Sequence, residues 1–262
     1  MEIIICPDSQ RVGVVAGAKV AQLAAAVGPK VVLGVATGSS PLGLYAEVAR
    51  RVADGRLDLS EARAFALDEY VGLDYSHPES YHAVIDRTVT RPFGLDPARV
   101  QVPDGGGDVQ TAGQRYEAAI KAAGGVDIQI LGVGTDGHVG FNEPGSSLAS
   151  RTRMMTLTAQ TRADNARFFD SVDQVPTHCV TQGLGTILDA RHLVLVADGP
   201  AKAEAIAAIV EGPVSAFWPG SIVQLHEDAT IVVDEAAASR LVLADYYKLV
   251  QADLPDWARL DV

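Results

Sequence analysis

Three side chains able to transfer protons lie within one glycine-rich stretch, residues 132–144, which reads GVGTDGHVGFNEP. They are Asp136, His138 and Glu143, and the loop around them has too little apolar mass to need them as core material. Across Gly137, Asp136 could accept a hydrogen bond from His138, which would fix the imidazole tautomer and raise its basicity. Glu143 could reach the same ring. The stretch therefore predicts an acid–base group that relays a proton.

Two alternative roles for this loop stay open. All three residue types bind metals, although a zinc site usually has more histidines or cysteines at tighter spacing. No metal or other cofactor is predicted. A histidine satisfied by neighbouring carboxylates in a stiff turn would instead have a purely structural role.

A further carboxylate ends an apolar run in AFALDEYVGLD, where Asp68 and Glu69 follow residues that should be buried. An aspartate at the end of a strand often serves only to form a turn. Here, at least one of the two carboxylates is expected to point into a cleft. Partial burial would raise its pKa toward the range in which a general base works.

The stretch VVLGVATGSSPLGLYAEVARRV is typical of a strand, a tight loop and a helix. The loop residues are small or carry hydroxyls: Thr37, Gly38, Ser39 and Ser40. We expect Ser40 to be the N-cap and Pro41 to open the first helical turn. Hydroxyl groups, backbone N–H groups and the positive end of the helix would then bind a phosphate. The stretch lacks the Walker and dinucleotide-binding spacings, and an ordinary capped strand–helix junction stays an alternative.

Two cations are candidates for the same phosphate. Lys202 begins the helix after the strand HLVLVA, and Arg167 lies in DNARFF. A single lysine or arginine is more often a solvated surface residue. These two are predicted as phosphate contacts because one follows a strand and the other lies in an irregular segment that could cover the site.

Short apolar runs alternate with alanine-rich helical stretches along the chain. The apolar runs are residues 3–6, 31–36, 62–67, 126–131, 192–197 and 229–233, and the helical stretches are residues 11–26, 41–53, 110–123, 201–210 and 235–251. Several runs lack in–out alternation, as strands buried on both faces do. The pattern predicts an α/β fold with a mainly parallel, doubly wound, Rossmann-like sheet flanked by helices. Ligands of such sheets bind at the carboxyl ends of the strands, where the candidate residues cluster.

One α/β domain over residues 1–262 is predicted, because no repeat, low-complexity tract or linker interrupts this rhythm. Residues 156–182, TLTAQTRADNARFFDSVDQVPTHCVTQ, fit it least well. We interpret this segment as a lid over the site, with a helix and loop that merely cap the sheet as the alternative.

The chain has 21 Lys+Arg against 33 Asp+Glu, a formal charge of −12. This balance argues against a nucleic-acid or anionic-membrane partner but not against a small anion held by local cations.

The chain has two cysteines, Cys6 and Cys179. They are too few to stabilise a domain of this size through disulfides, and they favour a reduced, cytoplasmic setting. No run approaches the ~20 apolar residues of a membrane span. The start, MEIIICPDSQRV, lacks the basic region and cleavage site of a signal peptide.

Five segments resemble the glucosamine/galactosamine-6-phosphate isomerase family, and within it the glucosamine-6-phosphate deaminases, over nearly the whole chain. The segments are LGVATGSSPLGLY, LDEYVGLDYSHPESYH, LGVGTDGHVGFNEPGSSLASRTR, DNARFFD and LVADGPAKAEAI. LDEYVGL and GHVGFNEP are the most specific parts. The resemblance implies a modified doubly wound fold and a cofactor-free conversion of D-glucosamine 6-phosphate into D-fructose 6-phosphate and ammonia.

The resemblance also implies a role for each matching residue. Asp68 would move a proton between C2 and C1 of the sugar. His138 would open the pyranose ring together with Asp136 and Glu143. The phosphate contacts that it implies are Gly38, Ser39, Ser40, Arg167 and Lys202.

Some bacterial members of the family are hexamers that N-acetylglucosamine 6-phosphate activates at a subunit interface. Residues 146–156, SSLASRTRMMT, match part of that effector region. Ser146 and Arg153 fit its pattern, and Thr156 belongs to the same candidate region. Met155, however, stands where the activated relatives carry a lysine. A thioether cannot pair with a phosphate, so we expect weak activation or none.

Two rival functions stay open at this point. A 6-phosphogluconolactonase-like hydrolase would share the fold and a related G-x-x-D-G-H loop, although FNEP and LDEYVGL favour the deaminase. A non-catalytic sugar-phosphate-sensing module would not need the proton-transfer residues that this chain retains. The predicted partner is a small amino-sugar phosphate, and the sequence leaves open whether the chain forms a homo-oligomer.

Overall fold

A computed structural model describes all 262 residues. Ten strands form two sheets: β1 Glu2–Cys6, β2 Val32–Val35, β3 Arg63–Ala66, β4 Asp68–Tyr70, β5 Val100–Gln101, β6 Ile128–Leu131, β7 Arg153–Thr156, β8 His178–Thr181, β9 His192–Ala197 and β10 Ala229–Asp234. The larger sheet has seven parallel strands in the order β1-β10-β9-β6-β2-β3-β5. The predicted parallel α/β sheet is therefore confirmed.

Eight α-helices accompany the sheets: α1 Ser9–Val27, α2 Leu42–Ala53, α3 Tyr81–Ile85, α4 Val109–Ala122, α5 Ala159–Asn165, α6 Leu184–Leu188, α7 Ala203–Val210 and α8 Ala244–Ala252. Hydrophobic cores lie on both faces of the larger sheet, because successive strand residues point to opposite sides. In β9, Leu193 and Leu195 join one core and Val194 and Val196 join the other. This two-sided burial explains why the runs showed no alternation. No helix has both the length and the apolar character that crossing a membrane requires.

The structure corrects two sequence predictions about elements. The helix expected over residues 235–251 covers only α8, and residues 235–243 form turns instead. The side chain of Asp234 accepts the backbone N–H of Ala237 at 2.7 Å, and it also accepts the N–H of Gly199. Asp234 thus caps a single helical turn, in which Ala238 N–H donates to the carbonyl of Asp234 at 2.9 Å. The turn does not continue as an α-helix, because a later backbone bond, from Leu241 N–H to Ala238, spans only three residues. Strand β5 was missed because its two residues are too short to form a periodic pattern.

The smaller sheet is antiparallel, with the order β4-β8-β7. Leu67 joins the two sheets, because its N–H donates to Val35 in the larger sheet and its carbonyl accepts from Gln182 beside the smaller one. Asp68 is the next residue. The segment interpreted as a lid, residues 156–182, begins with the last residue of β7 and includes β8, the middle strand of the smaller sheet. Helix α5 and the 3₁₀ turns after it lie between these two strands and outside the sheets.

Helices α1 and α2 pack with their backbones in close contact. A Cβ atom built on Gly13 would lie 2.7 Å from the carbonyl carbon of Gly43, and one on Gly17 would lie 2.6 Å from Cβ of Glu47. Only glycine allows this separation. Because Gly43 is in the first turn of α2, the contact also fixes the end of α2 that meets the loop Thr37–Ser40.

We expect Gly13→Ala to lower the free energy of unfolding by about 1–3 kcal/mol, because a methyl group there overpacks backbone that cannot move aside. Urea denaturation followed by circular dichroism measures the change. Gly106→Ala is the control, since Gly106 is exposed and a Cβ atom built on it meets nothing. Equal stabilities for the two variants would contradict the role given to this contact.

Candidate active site

A cavity of about 290 Å³ lies at the carboxyl ends of the central parallel strands. Most of the predicted site residues line it: Thr37, Gly38, Ser39, Ser40, Asp68, His138, Arg167 and Lys202. Asp136 and Glu143 do not line the cavity but contact His138. Segments far apart in sequence therefore meet in one place, as expected for strands whose carboxyl ends share an edge.

The loop between β2 and α2 has the features of an anion site. Gly38 has a φ of +92°, a left-handed conformation that favours glycine. The backbone N–H groups of Gly38, Ser39 and Ser40 have no acceptor within the chain. The predicted N-cap role of Ser40 was wrong: α2 begins at Leu42, and Pro41 occupies the cap position without a side-chain cap bond. The reason is a turn in which Leu42 N–H donates to the carbonyl of Ser39 at 3.2 Å.

Two cations, Arg167 and Lys202, line the same cavity as this loop. Burial lowers the pKa of Lys202, and the nearby Arg167 lowers it further, while Asp164 opposes the shift. The guanidinium carbon of Arg167 lies 4.7 Å from the ring centroid of Phe168. Neither cation forms an ion pair with a carboxylate. Two like charges that lack a paired anion favour a ligand that brings its own negative charge.

Asp68 is the first residue of β4, and only 4% of it is exposed. Burial, together with repulsion from Glu69, raises the pKa of its carboxyl to about 7, although His138 opposes the rise. Its Oδ2 accepts a long hydrogen bond from Thr181 Oγ1 at 3.5 Å. A Cβ atom built on Gly140 would also lie 3.5 Å from that oxygen. A carboxylate with this pKa can take and return a proton near neutral pH.

The structure separates the roles of the two neighbouring carboxylates. Because strand residues alternate in direction, Glu69 points away from the cavity that Asp68 lines. Its carboxylate accepts the backbone N–H groups of Tyr70, Tyr81 and His82 at 2.8–2.9 Å. Glu69 therefore holds the first turn of α3 in place.

Asp136 and His138 approach each other across Gly137 as predicted. The Nδ1 atom of His138 lies 2.7 Å from Asp136 Oδ1 and 3.7 Å from Glu143 Oε2. The shorter contact has an ion-pair distance but not the angle of a well-formed N–H···O bond. Burial alone would lower the pKa of His138, but the two carboxylates outweigh it and raise that pKa. Contact with His138 likewise overcomes burial and lowers the pKa of Asp136 to about 2.

These three residues are also the group in the chain that most resembles a metal site. One ligand atom from each lies within 4.8 Å of the others. Tetrahedral zinc at its usual bond lengths would hold two ligand atoms roughly 3.3 Å apart. The 2.7 Å between Asp136 and His138 is shorter than this separation and is the distance of a direct ion pair. With Nδ1 engaged by carboxylates, Nε2 is the nitrogen that can exchange protons with a ligand.

The candidate effector residues lie outside the cavity. Arg153 donates to Asn142 Oδ1 at 2.9 Å and to Ser146 Oγ at 3.2 Å, and no carboxylate pairs with it. Met155 packs against the small core around Tyr70. Thr156 is exposed. The structure therefore brings Ser146 into contact with Arg153, while Met155 lies on the same face of β7 as Arg153 and Thr156 lies on the other face.

Sequence reasoning missed several residues that line the cavity, among them Tyr81, Thr161 and Asn165. The hydroxyl of Tyr81 donates to the hydroxyl of Tyr70 at 3.3 Å, and the amide of Asn165 donates to the same oxygen at 3.1 Å. Tyr81 lies in the stretch LDEYVGLDYSHPESYH, and Thr161 and Asn165 lie in the irregular residues 156–182. Nothing in them indicated which side chains face inward, because neither segment has a regular period.

Comparison with known proteins identifies relatives of the whole chain. Residues 8–232 match the family of glucosamine-6-phosphate isomerases/6-phosphogluconolactonase. The chain is 58% identical to the glucosamine-6-phosphate deaminase of Bifidobacterium longum (strain NCC 2705), over 98% of both chains. It is 62% identical to that of Rhodococcus opacus (strain B4), over 86% of this chain and 87% of the other.

Solved structures agree with these relatives. A monomeric glucosamine-6-phosphate deaminase matches with a TM-score of 0.88 at 37% identity, covering 92% of this chain and all 100% of that one. A 6-phosphogluconolactonase from Trypanosoma cruzi matches with a TM-score of 0.74 at 21% identity, covering 92% of this chain and 97% of that one. The second likeness shows a common fold alone.

The raised pKa of Asp68 makes stability depend on pH. A carboxyl whose pKa is higher in the folded state than in the unfolded state contributes stability at low pH, which is lost as pH rises toward the folded value of about 7. We therefore expect Asp68→Asn to gain stability relative to the wild type, by about 2 kcal/mol, between pH 5 and pH 8. Chemical denaturation at both pH values measures this. Asp256→Asn, at a side chain that is 98% exposed, should show no such difference, and the same flat response from Asp68→Asn would contradict the burial argument.

Proposed function

The chain belongs to the family of glucosamine-6-phosphate isomerases and 6-phosphogluconolactonases, and we propose that it deaminates D-glucosamine 6-phosphate to D-fructose 6-phosphate and ammonia. The observation that carries this proposal is a buried carboxylate, Asp68, that shares one cavity with His138 and an anion-binding loop. Eight relatives at 55–62% identity carry the name glucosamine-6-phosphate deaminase.

The rival functions have less support. Solved 6-phosphogluconolactonases resemble this chain at only 17–21% identity, which indicates a shared fold and not a shared reaction. A sensing module would have no reason to bury a carboxylate with a pKa near neutrality, since such a group destabilises the folded chain when ionised. Deamination is therefore the function that uses Asp68, His138 and the anion-binding loop together.

Phosphate binding would place the sugar. We assign the phosphate to the N–H groups and hydroxyls of Gly38, Ser39 and Ser40, with Thr37 beside them. Arg167 and Lys202 would neutralise its charge. An anchored substrate presents its reacting carbons to fixed groups without a second loss of orientational freedom, an effect worth several kcal/mol. The unpaired cations in an otherwise acidic chain support this assignment.

Ring opening would use the relay of His138, Asp136 and Glu143. The imidazole takes the proton from the C1 hydroxyl and returns it to the ring oxygen, so that the C1–O5 bond breaks and C1 becomes an aldehyde. Asp136 and Glu143 stabilise the imidazolium that forms between these two transfers. The 2.7 Å contact between Asp136 and His138 supports this assignment.

Asp68 would then move a proton from C2 to C1. The C1 carbonyl makes the proton on C2 acidic, and its removal by Asp68, with one proton taken up at O1, gives an enolamine. Return of the C2 proton at C1, with loss of one proton from the nitrogen that balances the proton taken up at O1, leaves an imine at C2. Water adds to this imine and ammonia leaves, which gives the C2 ketone of fructose 6-phosphate. One carboxylate serves both transfers because its pKa lies close to neutral pH.

A lid would complete the site. We propose that α5 and the turns after it cover the bound sugar, since Thr161, Asn165 and Arg167 all come from this part of the chain. Closure over the substrate would exclude water until the imine is formed. The cytoplasmic setting suggested by the two unpaired cysteines stays a prediction, and so does assembly into a homo-oligomer.

Asp68→Asn should reduce turnover of glucosamine 6-phosphate by about 10²–10⁴-fold, because an amide cannot accept the C2 proton. Ammonia release, coupled to glutamate dehydrogenase, measures kcat, and calorimetric titration with sugar phosphate checks that binding persists. Asp74→Asn is the matched control, as Asp74 is exposed and belongs to the same LDEYVGLD stretch. Wild-type protein that hydrolyses 6-phosphogluconolactone but releases no ammonia would overturn the proposed function.

We also propose that N-acetylglucosamine 6-phosphate activates this enzyme weakly or not at all. Arg153 and Ser146 contact each other, but Met155 offers no charge to a phosphate. Rates measured over a range of substrate concentrations should give nearly the same curve with and without a large excess of that sugar phosphate. A strong shift from a sigmoidal to a hyperbolic curve would refute this.

A further inference from the structure

The turn that carries Asp136 and His138 is made largely of glycine. Gly137, between them, has a φ of +80°. Its N–H donates to the carbonyl of Gly134 at 3.1 Å, and Gly134 N–H donates to the carbonyl of His138 at 2.9 Å. Glycine has no side chain that could pack and restrict the backbone. Besides these internal bonds, the position of the turn therefore depends on groups outside it.

A second segment, residues 215–221, supplies these groups, and we call it the clamp. Gly220 N–H donates to the carbonyl of Gly137 at 2.7 Å, in the middle of the glycine-rich loop of residues 132–144. The carbonyl of Ala216 accepts Gly145 N–H at 2.8 Å, just beyond the end of that loop. The clamp thus fixes the loop at two points.

Trp218 lies at the centre of the clamp and packs on the turn. A Cβ atom built on Gly137 would be 2.6 Å from Cε3 of its indole. The backbone of Trp218 is itself fixed, because its N–H donates to Ser215 and its carbonyl accepts from Ser221, at 3.0 and 2.8 Å. The buried hydroxyl of Ser221 closes the clamp by accepting Ser215 N–H at 2.9 Å.

We propose that Trp218 is a positioning residue for ring opening: its indole presses on Gly137 and so keeps the imidazole of His138 against Asp136. The proposal rests on the proposed function of this site. Trp218 does not line the cavity and would not contact the substrate. Its effect passes through the turn.

The rate of ring opening depends on the exact position of the His138 imidazole. The groups that act electrostatically on His138 are Asp136, Glu143, Lys202 and Asp68, and the nearest of these carboxylates is only 2.7 Å away. A displacement of about 1 Å in a catalytic group can cost roughly 100-fold in rate. Loss of the indole would let the turn relax by such a distance. Phosphate binding and the C2 proton transfer use other segments and should be spared.

The test compares Trp218→Phe, Trp218→Leu and Trp218→Ala with the wild type. We measure kcat for ammonia release, and the inhibition constant of 2-amino-2-deoxyglucitol 6-phosphate, an acyclic compound that binds without ring opening. Trp218→Ala should lower kcat about 100-fold with an inhibition constant within twofold of the wild type. Trp218→Phe should retain most of the rate, and Trp218→Leu should be intermediate and serves if the alanine variant does not fold.

Trp257→Ala is the matched control, because Trp257 is the other tryptophan of the chain and is 85% exposed. It should leave both constants unchanged. The proposal is overturned if Trp218→Ala, or Trp218→Leu where the alanine variant does not fold, keeps kcat within twofold of the wild type. It is also overturned if kcat and the inhibition constant worsen by the same factor, since that result means general distortion of the cavity.

A titration that needs no turnover separates this proposal from the proposed function. The imidazole of His138 is followed by NMR, with His138→Gln to assign its signal among the six histidines. Its pKa, raised in the wild type by Asp136 and Glu143, should fall in Trp218→Ala. An unchanged titration overturns the positioning role. Wild-type protein without ammonia release would overturn the proposed function alone.

Discussion

The burial of one carboxylate is the constraint on which the site depends. Asp68 is almost wholly removed from water, and this burial raises its pKa to about 7. An ionised group in that position opposes folding, so the surrounding structure must hold it there. Leu67 does so, because its N–H bonds to one sheet and its carbonyl to a residue beside the other. Asp68 follows directly at this junction and has little freedom to turn toward solvent.

The charge around the candidate site differs from the net charge of the whole chain. The protein has a net charge of −12, yet two cations that form no ion pair with a carboxylate line the cavity together with the loop before α2. Near His138 the order is reversed, and two carboxylates stabilise a positive imidazole. In the proposed function, a phosphorylated sugar would bind between these regions with its anion at one end and its reacting carbons at the other. The net charge therefore argues against large anionic partners such as nucleic acids and membranes, but it does not indicate the charge of a small ligand.

The central sheet was predictable because its strands are buried on both faces and leave unbroken apolar runs, each found within a residue or two of its expected bounds. Failures had local causes. Ser40 was expected to cap α2, but a turn from Ser39 to Leu42 moved the helix start past it. The helix predicted from residue 235 begins only at Ala244, because the single turn that Asp234 caps is followed by backbone bonds that span three residues and end it. The roles of the site residues in catalysis stay predictions.

The sequence alone determined which chemical groups are present and which of them are close along the chain. Asp136, Gly137 and His138 form their contact within a single turn, so their spacing was enough to foresee it. Tertiary structure decided everything that depends on separate segments meeting. In the folded chain Asp68 lines the cavity and Glu69 does not, and Tyr81 and Asn165 line it as well. Trp218 packs against Gly137, in the turn between Asp136 and His138. The reason is physical: burial and electrostatic environment arise from packing between distant segments, and no local pattern of residues encodes them.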